Sequence, residues 1–249
     1  MASLIDITPA TESDYPLLAR ILSQAMSIDP VSLCIFTTPP YDLSVPEKLG
    51  TMMIAREAAQ PNSHVLKATL KATREIVAFA IWSVVEEEEE AAEEEEEGEK
   101  AKAEMEMEKK DGDDAGGPGE DGGLPEGINA DFFMMYLGSL GEKYQMHMAG
   151  EKKKKKKHAV LNQLHVTPSQ QRKGIGSAML RHGLKELRLD QLPIWLVTQP
   201  RGRNLYRLFG WGQVDCIEID MSVWKGVGTG FGVHENPCMV REPGSLGSN

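Results

Sequence analysis

Apolar residues in this chain recur in two rhythms, one helical and one continuous, and the switches between them divide the sequence into elements. Residues 1–6 lead into a first strand at Ile7. Thr11-Glu12-Ser13-Asp14-Tyr15-Pro16 places capping side chains and a proline ahead of Leu17, Leu18, Ile21, Leu22, Ala25 and Met26, a spacing that predicts a helix. A proline-broken loop is expected over 29–41, then a second helix from a capping box at Ser44-Val45-Pro46-Glu47 to about Ala59. Segments 64–70 and 75–85 read as a hairpin turning near 71–74, and the second is apolar on both faces, which suits a central strand. Phe132, Phe133, Tyr136, Leu137, Leu140 and Tyr144 have helical spacing from a start at Asn129 or Asp131.

The second half continues the alternation. Residues 158–166 form a strand that ends in a turn. In the segment after it, Ile175, Gly176, Met179, Leu180, Gly183, Leu184 and Leu187 fall in one half of a helical wheel, with Ser177, Arg181, Lys185 and Arg188 in the other. Gly183 sits in the middle of the apolar face, where it permits close helix–sheet approach at a cost of about 1 kcal/mol against alanine. Residues 192–198 read as a short buried strand and 213–224 as another. A flexible loop at Gly226, Gly228, Gly230 and Gly232 precedes a last strand over 234–242 and a frayed tail at 243–249.

Charge changes the picture at one place. Between Glu86 and Glu126 there are 20 acidic residues and 4 lysines, net −16, whereas the whole chain is −11, so the remainder carries +5. The acidity therefore belongs to a low-complexity insertion at 86–127, expected to be disordered: 111–127 is a flexible linker by composition, and 86–110, rich in Ala, Glu, Met and Lys, is at most a fluctuating exposed helix. It divides one domain into halves at 1–85 and 128–242. Lys152 to Lys157 form a second charge run just before the strand at 158. It reads as a solvated loop, a nuclear address, a polyanion contact or a partner for the acidic insert. No aromatic interleaving or nucleic-acid module accompanies it, so specific nucleic-acid binding is not expected. Cys34, Cys216 and Cys238, odd in number and far apart, suggest neither a disulfide framework nor a metal site, and favour a reducing, cytoplasmic setting. Nothing at the beginning resembles a signal peptide, and the longest apolar run, 76–85, is about half a membrane span.

The candidate chemistry lies at the strand-to-helix turn, Gln171-Arg172-Lys173-Gly174-Ile175-Gly176-Ser177. A helix beginning at such a turn aims unpaired backbone N–H groups and its positive dipole end at one point, which suits a phosphate. A P-loop would need lysine and Ser/Thr after the second glycine, and a dinucleotide fold would need a third glycine where Met179 stands. The pattern Gln/Arg-x-x-Gly-x-Gly/Ala fits. So does the downstream run Gln199-Pro200-Arg201-Gly202-Arg203-Asn204-Leu205-Tyr206-Arg207-Leu208-Phe209-Gly210-Trp211, one helix and one strand later. In both motifs the sequence resembles the GNAT superfamily of acetyl-CoA-dependent N-acetyltransferases. Leu205, Tyr206 and Gly210 match the family's second motif; Trp211 replaces Phe, Gly202 replaces Ala and Gln199 replaces Asn.

The resemblance implies an α/β (α+β) fold, a mixed central sheet with helices on both faces, and acetyl-CoA as cosubstrate. It implies that Gln171, Arg172, Lys173, Gly174, Ile175, Gly176 and Ser177 hold the pyrophosphate and that backbone at Leu164, His165 and Val166 contacts the pantetheine arm. By the same resemblance Val166 N–H polarises the thioester and Tyr206 protonates the leaving sulfur. The region of the first two helices would shape the acceptor site, with Cys34, Phe36 and Tyr41 as lining or packing residues. The strand at 158–166 carries no carboxylate, so His165 is the nearest titratable candidate for a base, with a structural histidine as the alternative. The expected acceptor is a small-molecule or peptide amine, the expected assembly a monomer or homodimer without a membrane. An acyl-CoA-binding or protein-interaction module with weak or no catalysis is the competing reading.

Overall fold

The computed structural model describes residues 4–27, 29–37, 43–86, 124–149, 157–224 and 232–245. The expected acidic insertion and tail, Tyr41, Lys152 to Lys156 and the first three glycines of the 226–232 loop therefore lie in whole or in large part outside the described residues.

Seven strands form one mixed sheet: β1 (Ile5–Pro9), β2 (Ser63–Leu70), β3 (Ile76–Val85), β4 (His158–Val166), β5 (Ile194–Val197), β6 (Trp211–Asp220) and β7 (Val233–Arg241). Their order is β1-β2-β3-β4-β5-β7-β6, antiparallel throughout except for the β4–β5 pair. The helices are α1 (Tyr15–Met26), α2 (Pro30–Ile35), α3 (Ser44–Ala58), α4 (Ala130–Tyr144), α5 (Ile175–Glu186) and α6 (Arg203–Leu208). β3 is central as its composition requires: Val77 to Trp82 are fully buried, with helices covering both faces. On one face Ala80 and Trp82 pack against Met179, Leu180 and Leu184 of α5. On the other, Phe79 and Ile81 pack against Leu18 and Ile21 of α1 and Ile54 of α3. α2 and α4 cover the far end of that face, where Val31, Phe132 and Phe133 meet Trp195, Ile217 and Ile219.

Three local expectations need correction. The 29–41 loop contains α2, because Asp29 accepts a hydrogen bond from Ser32 N–H as N-cap and Pro30 supplies a pre-set first helical residue. α3 starts at the expected cap itself: Leu43 is its N-cap, without a side-chain bond, and Ser44 is already helical. The strand expected over 213–224 begins earlier and stops at Asp220, where the carboxylate accepts from Ser222 N–H and turns the chain into a 3₁₀ turn. The expected helix start over Thr11 to Pro16 is present as a 3₁₀ turn, Glu12–Asp14, leading into α1, with Thr11 N–H donating to Asp14 Oδ2 at 2.7 Å.

At the mouths of both charge runs Lys157 meets Glu86 at 2.8 Å, across the β3–β4 pair. Both side chains are about half exposed, so the contact contributes on the order of 1 kcal/mol or less. Among the described residues no helix is long and apolar enough to cross a membrane.

Candidate active site

The site begins with a defect in the sheet. β4 and β5 pair only at Ala159–Ile194 and Val160–Trp195, and past that point their ladder stops. On its other edge β4 stays paired with β3 to Val166, except for a bulge that leaves Asn162 between Leu161 (opposite Trp82) and Gln163 (opposite Ile81). Thr167 N–H donates to Val77 O at 2.8 Å. Backbone groups alternate sides along a strand, so the N–H groups of Val166 and Leu164 point away from β3, into the gap beside β5. His165 N–H points the other way, toward β3.

The turn after β4 closes the end of that gap. Gln171 reaches back so that its side-chain amide donates to Val166 O at 3.0 Å, fastening the turn to the strand. Gly174 is the N-cap of α5 at φ +81°, a conformation costly for any residue with a Cβ. A Cβ there would meet nothing within 4 Å, so the turn faces open space. The first helical bond is Ala178 N–H to Gly174 O, which leaves the N–H groups of Ile175, Gly176 and Ser177 ahead of it. Arg172 also takes a positive φ, +62°. Lys173 turns its ammonium onto Gln170 Oε1 at 3.0 Å and is not part of the cavity wall described next.

These groups share one cavity of about 1590 Å³. Leu164, His165, Val166, Gln171, Arg172, Gly174, Ile175, Gly176, Ser177 and Tyr206 all line it, so the structure brings together every sequence-expected site residue except Lys173. Phe36 also lines it, whereas Cys34 is core, at 2% exposure. Among the described residues no group of three or more His, Cys, Asp or Glu side chains could hold a metal ion.

Tyr206 comes from α6, its ring edge-on to Trp211 with centroids 5.9 Å apart. Burial pushes its phenol pKa up, only partly offset by a hydrogen bond with the Thr198 side chain, so it stays protonated at neutral pH. Gly202 explains one departure from the family pattern, since a Cβ there would collide with the Thr198 hydroxyl. Trp211 explains another: its indole N–H donates to Ile194 O at 3.1 Å, a bond phenylalanine cannot make. Gln199, in place of asparagine, accepts from Arg201 Nε at 2.7 Å.

His165 does not suit the role of base. Part of its surface faces the cavity, but its ring lies at a tilt on Phe79, 5.4 Å between centroids. Burial, with the Arg201 cation acting in the same direction, pushes its pKa down to about 4. Taking a proton from an amine of ordinary pKa would then be uphill by about 9 kcal/mol.

Sequence reasoning overlooked Glu57. It lies on α3 in the helical stripe Leu49, Gly50, Met53, Ile54, Glu57, a carboxylate on the buried face of its helix. Gln163 Nε2 of β4 donates to its Oε1 at 2.7 Å. Burial, partly offset by that bond, raises its pKa to about 7, and both residues line the cavity. The same proton transfer to Glu57 is uphill by about 5 kcal/mol.

Comparison with known proteins gives a family match over part of the chain and a shared fold. Residues 137–211 match the family described as acetyltransferase (GNAT) family. No curated protein sequence matches the chain. Among solved structures, the histone acetyltransferase HPA2 and related acetyltransferase from Corynebacterium glutamicum is 18% identical, with 97% of each chain covered and a TM-score of 0.57. Arylalkylamine N-acetyltransferase 2 from Aedes aegypti is 15% identical, with 96% of this chain and 99% of that one covered and a TM-score of 0.54. The mosquito arylalkylamine N-acetyltransferase like 5b is 9% identical, with 95% and 99% covered and a TM-score of 0.55. At these identities the likeness is one of fold.

Proposed function

On the family match over residues 137–211 and the shared fold, we propose that the chain is a GNAT-type acetyltransferase that transfers an acetyl group from acetyl-CoA directly to an amine, without a covalent enzyme intermediate. The observation that carries the reading is the convergence on one cavity of the glycine turn, the β4 edge left by β5, and Tyr206. The turn fits a pyrophosphate: three N–H groups at a helix start face open space, with Arg172 beside them.

Acetyl-CoA supplies an activated acyl group on a thiol leaving group. The chain's own residues do the rest. The β4 edge at Leu164 and Val166 presents two outward N–H groups, and Val166 N–H is the donor that polarises the thioester oxygen; one such donor contributes on the order of 10²–10³ in rate. Tyr206, held protonated by burial, gives its phenol proton to the departing sulfur. Neither motif contains a cysteine to serve as nucleophile.

A binding-only module would need no room beyond the CoA groove. Here the cavity continues past β4 to Leu33 on α2, Phe36 just after it, Leu49 and Met53 on α3, and Phe133 and Leu137 on α4, space for an acceptor. The test is acetyl-CoA-dependent thiol release over a panel of amines, in the wild type and Tyr206→Phe. Turnover falling about 100-fold in the variant, at unchanged KM for acetyl-CoA, supports the reading. Undiminished turnover would make Tyr206 a packing residue.

A further inference from the structure

Glu57 and Gln163 both line the cavity and hold an unusual pair of atoms in its wall. Their mutual hydrogen bond uses Gln163 Nε2 and Glu57 Oε1. The remaining two oxygens, Glu57 Oε2 and Gln163 Oε1, are buried and have no hydrogen-bond partner among the described residues. Two buried acceptors left unpaired on hydrogen-bonded partners are costly unless a donor arrives. A ligand group carrying at least two N–H bonds satisfies both.

The surroundings restrict that ligand further. Glu57 ends an apolar stripe of α3 that lines the cavity through Leu49, Gly50 and Met53, faced by Phe133 and Leu137 of α4. Gln163 stands one residue before Leu164 on β4, immediately after the Asn162 bulge. A nitrogen held at the pair is thus beside the outward N–H groups of β4, with an apolar trough for whatever it is attached to.

We propose that Glu57 and Gln163 receive the acceptor's amino group, that Glu57 takes its proton, and that the acceptor is a primary amine on an apolar body. This rests on the acetyltransferase reading above. The bound ammonium gives one proton to the Glu57 carboxylate and becomes a free amine. Its nitrogen forms the C–N bond to the acetyl carbon as the C–S bond breaks. Tyr206 passes its phenol proton to the sulfur and regains one from the nitrogen, and Glu57 releases its proton to solvent. The products are the N-acetyl amine and free thiol.

The experiment combines calorimetric binding of acetyl-CoA with thiol release from 2-phenylethylamine and, separately, tetra-alanine as a peptide amine. Both are run on the wild type, Glu57→Gln and Glu57→Asp. The expected result is acetylation of 2-phenylethylamine, with kcat/KM about 100-fold lower in Glu57→Gln, an intermediate loss in Glu57→Asp, and acetyl-CoA affinity unchanged in all three. Unchanged affinity also certifies that the variants are folded. Full activity in Glu57→Gln overturns the base assignment. Acetylation of tetra-alanine alone, or of neither amine by protein that binds acetyl-CoA, overturns the acceptor class. Failure to bind acetyl-CoA at all would instead remove the acetyltransferase reading itself.

Discussion

Gly183 of α5 lies directly against the indole of Trp82 on β3: a Cβ built on the glycine would stand 2.6 Å from the ring. This contact sets how closely the helix that begins at the glycine turn approaches the central strand. Gly183→Ala would gain about 1 kcal/mol of helix propensity and lose about 1–3 kcal/mol to overpacking against an indole with no room to shift. We expect a net loss of stability, read as a lower denaturant midpoint at unchanged slope. A variant more stable than the wild type would mean that α5 slides on the sheet without cost.

Gly174 is constrained by its backbone rather than by space. At φ +81°, with nothing within 4 Å of a Cβ, Gly174→Ala meets no steric neighbour but must hold a left-handed conformation. The expected loss is about 1–2 kcal/mol of stability, with the fold retained. Circular dichroism through a urea titration measures it, and no loss would place the strain elsewhere.

Glu57 makes stability depend on pH. Its folded-state pKa of about 7 exceeds the reference of 4.5, so the folded protein binds more protons than the unfolded chain between those values. Its contribution is therefore present below pH 4.5 and lost as pH rises through about 7, to the extent of about 3 kcal/mol. Glu57→Gln is neutral at every pH. We expect it to match the wild type near pH 4.5 and exceed it in melting temperature at pH 8. Equal melting temperatures at pH 8 would show that the carboxylate is better solvated than its burial implies. Such a gain alongside lost turnover is the usual exchange between stability and activity at a working site.

His165 acts in the opposite sense. Its folded pKa of about 4 lies below the reference of 6.5, so the unfolded chain binds more protons between the two and stability rises with pH there. Because this window overlaps that of Glu57, the wild-type curve shows only their difference, and the two must be separated by variants or by site-resolved titration. The His165 ring resonances in an NMR titration should shift with a midpoint near 4. A midpoint near 6.5 would restore the histidine as a candidate base.

Much of this architecture was legible in the sequence where patterns are long. The continuous apolar run of β3, the periodic face of α5 and the two motifs around Gly174 and Tyr206 gave the central strands, the strand-to-helix turn and the fold class. What escaped was short or non-local. α2 has only six residues, and its signal, Asp29 before Pro30, was submerged in a proline-rich loop. The place of β7 between β5 and β6 depends on pairing across the sheet, which no local window encodes. A bulge in this strand goes with the family resemblance, but its place at Asn162 has no side-chain signature. Glu57 is readable as a carboxylate in the stripe of Leu49 and Met53, but nothing in that stripe says which strand it meets. The carboxylate reaches β4 from a helix about a hundred residues earlier, through Gln163.

The most direct test of the central claim is calorimetric titration of acetyl-CoA and free CoA into the wild type and Gly174→Glu. The account predicts micromolar binding of both ligands to the wild type and loss of binding in the variant, whose carboxylate would stand where the pyrophosphate is received. Absence of binding to the wild type, or equal binding to the variant, would contradict the placement of acetyl-CoA between β4 and α5.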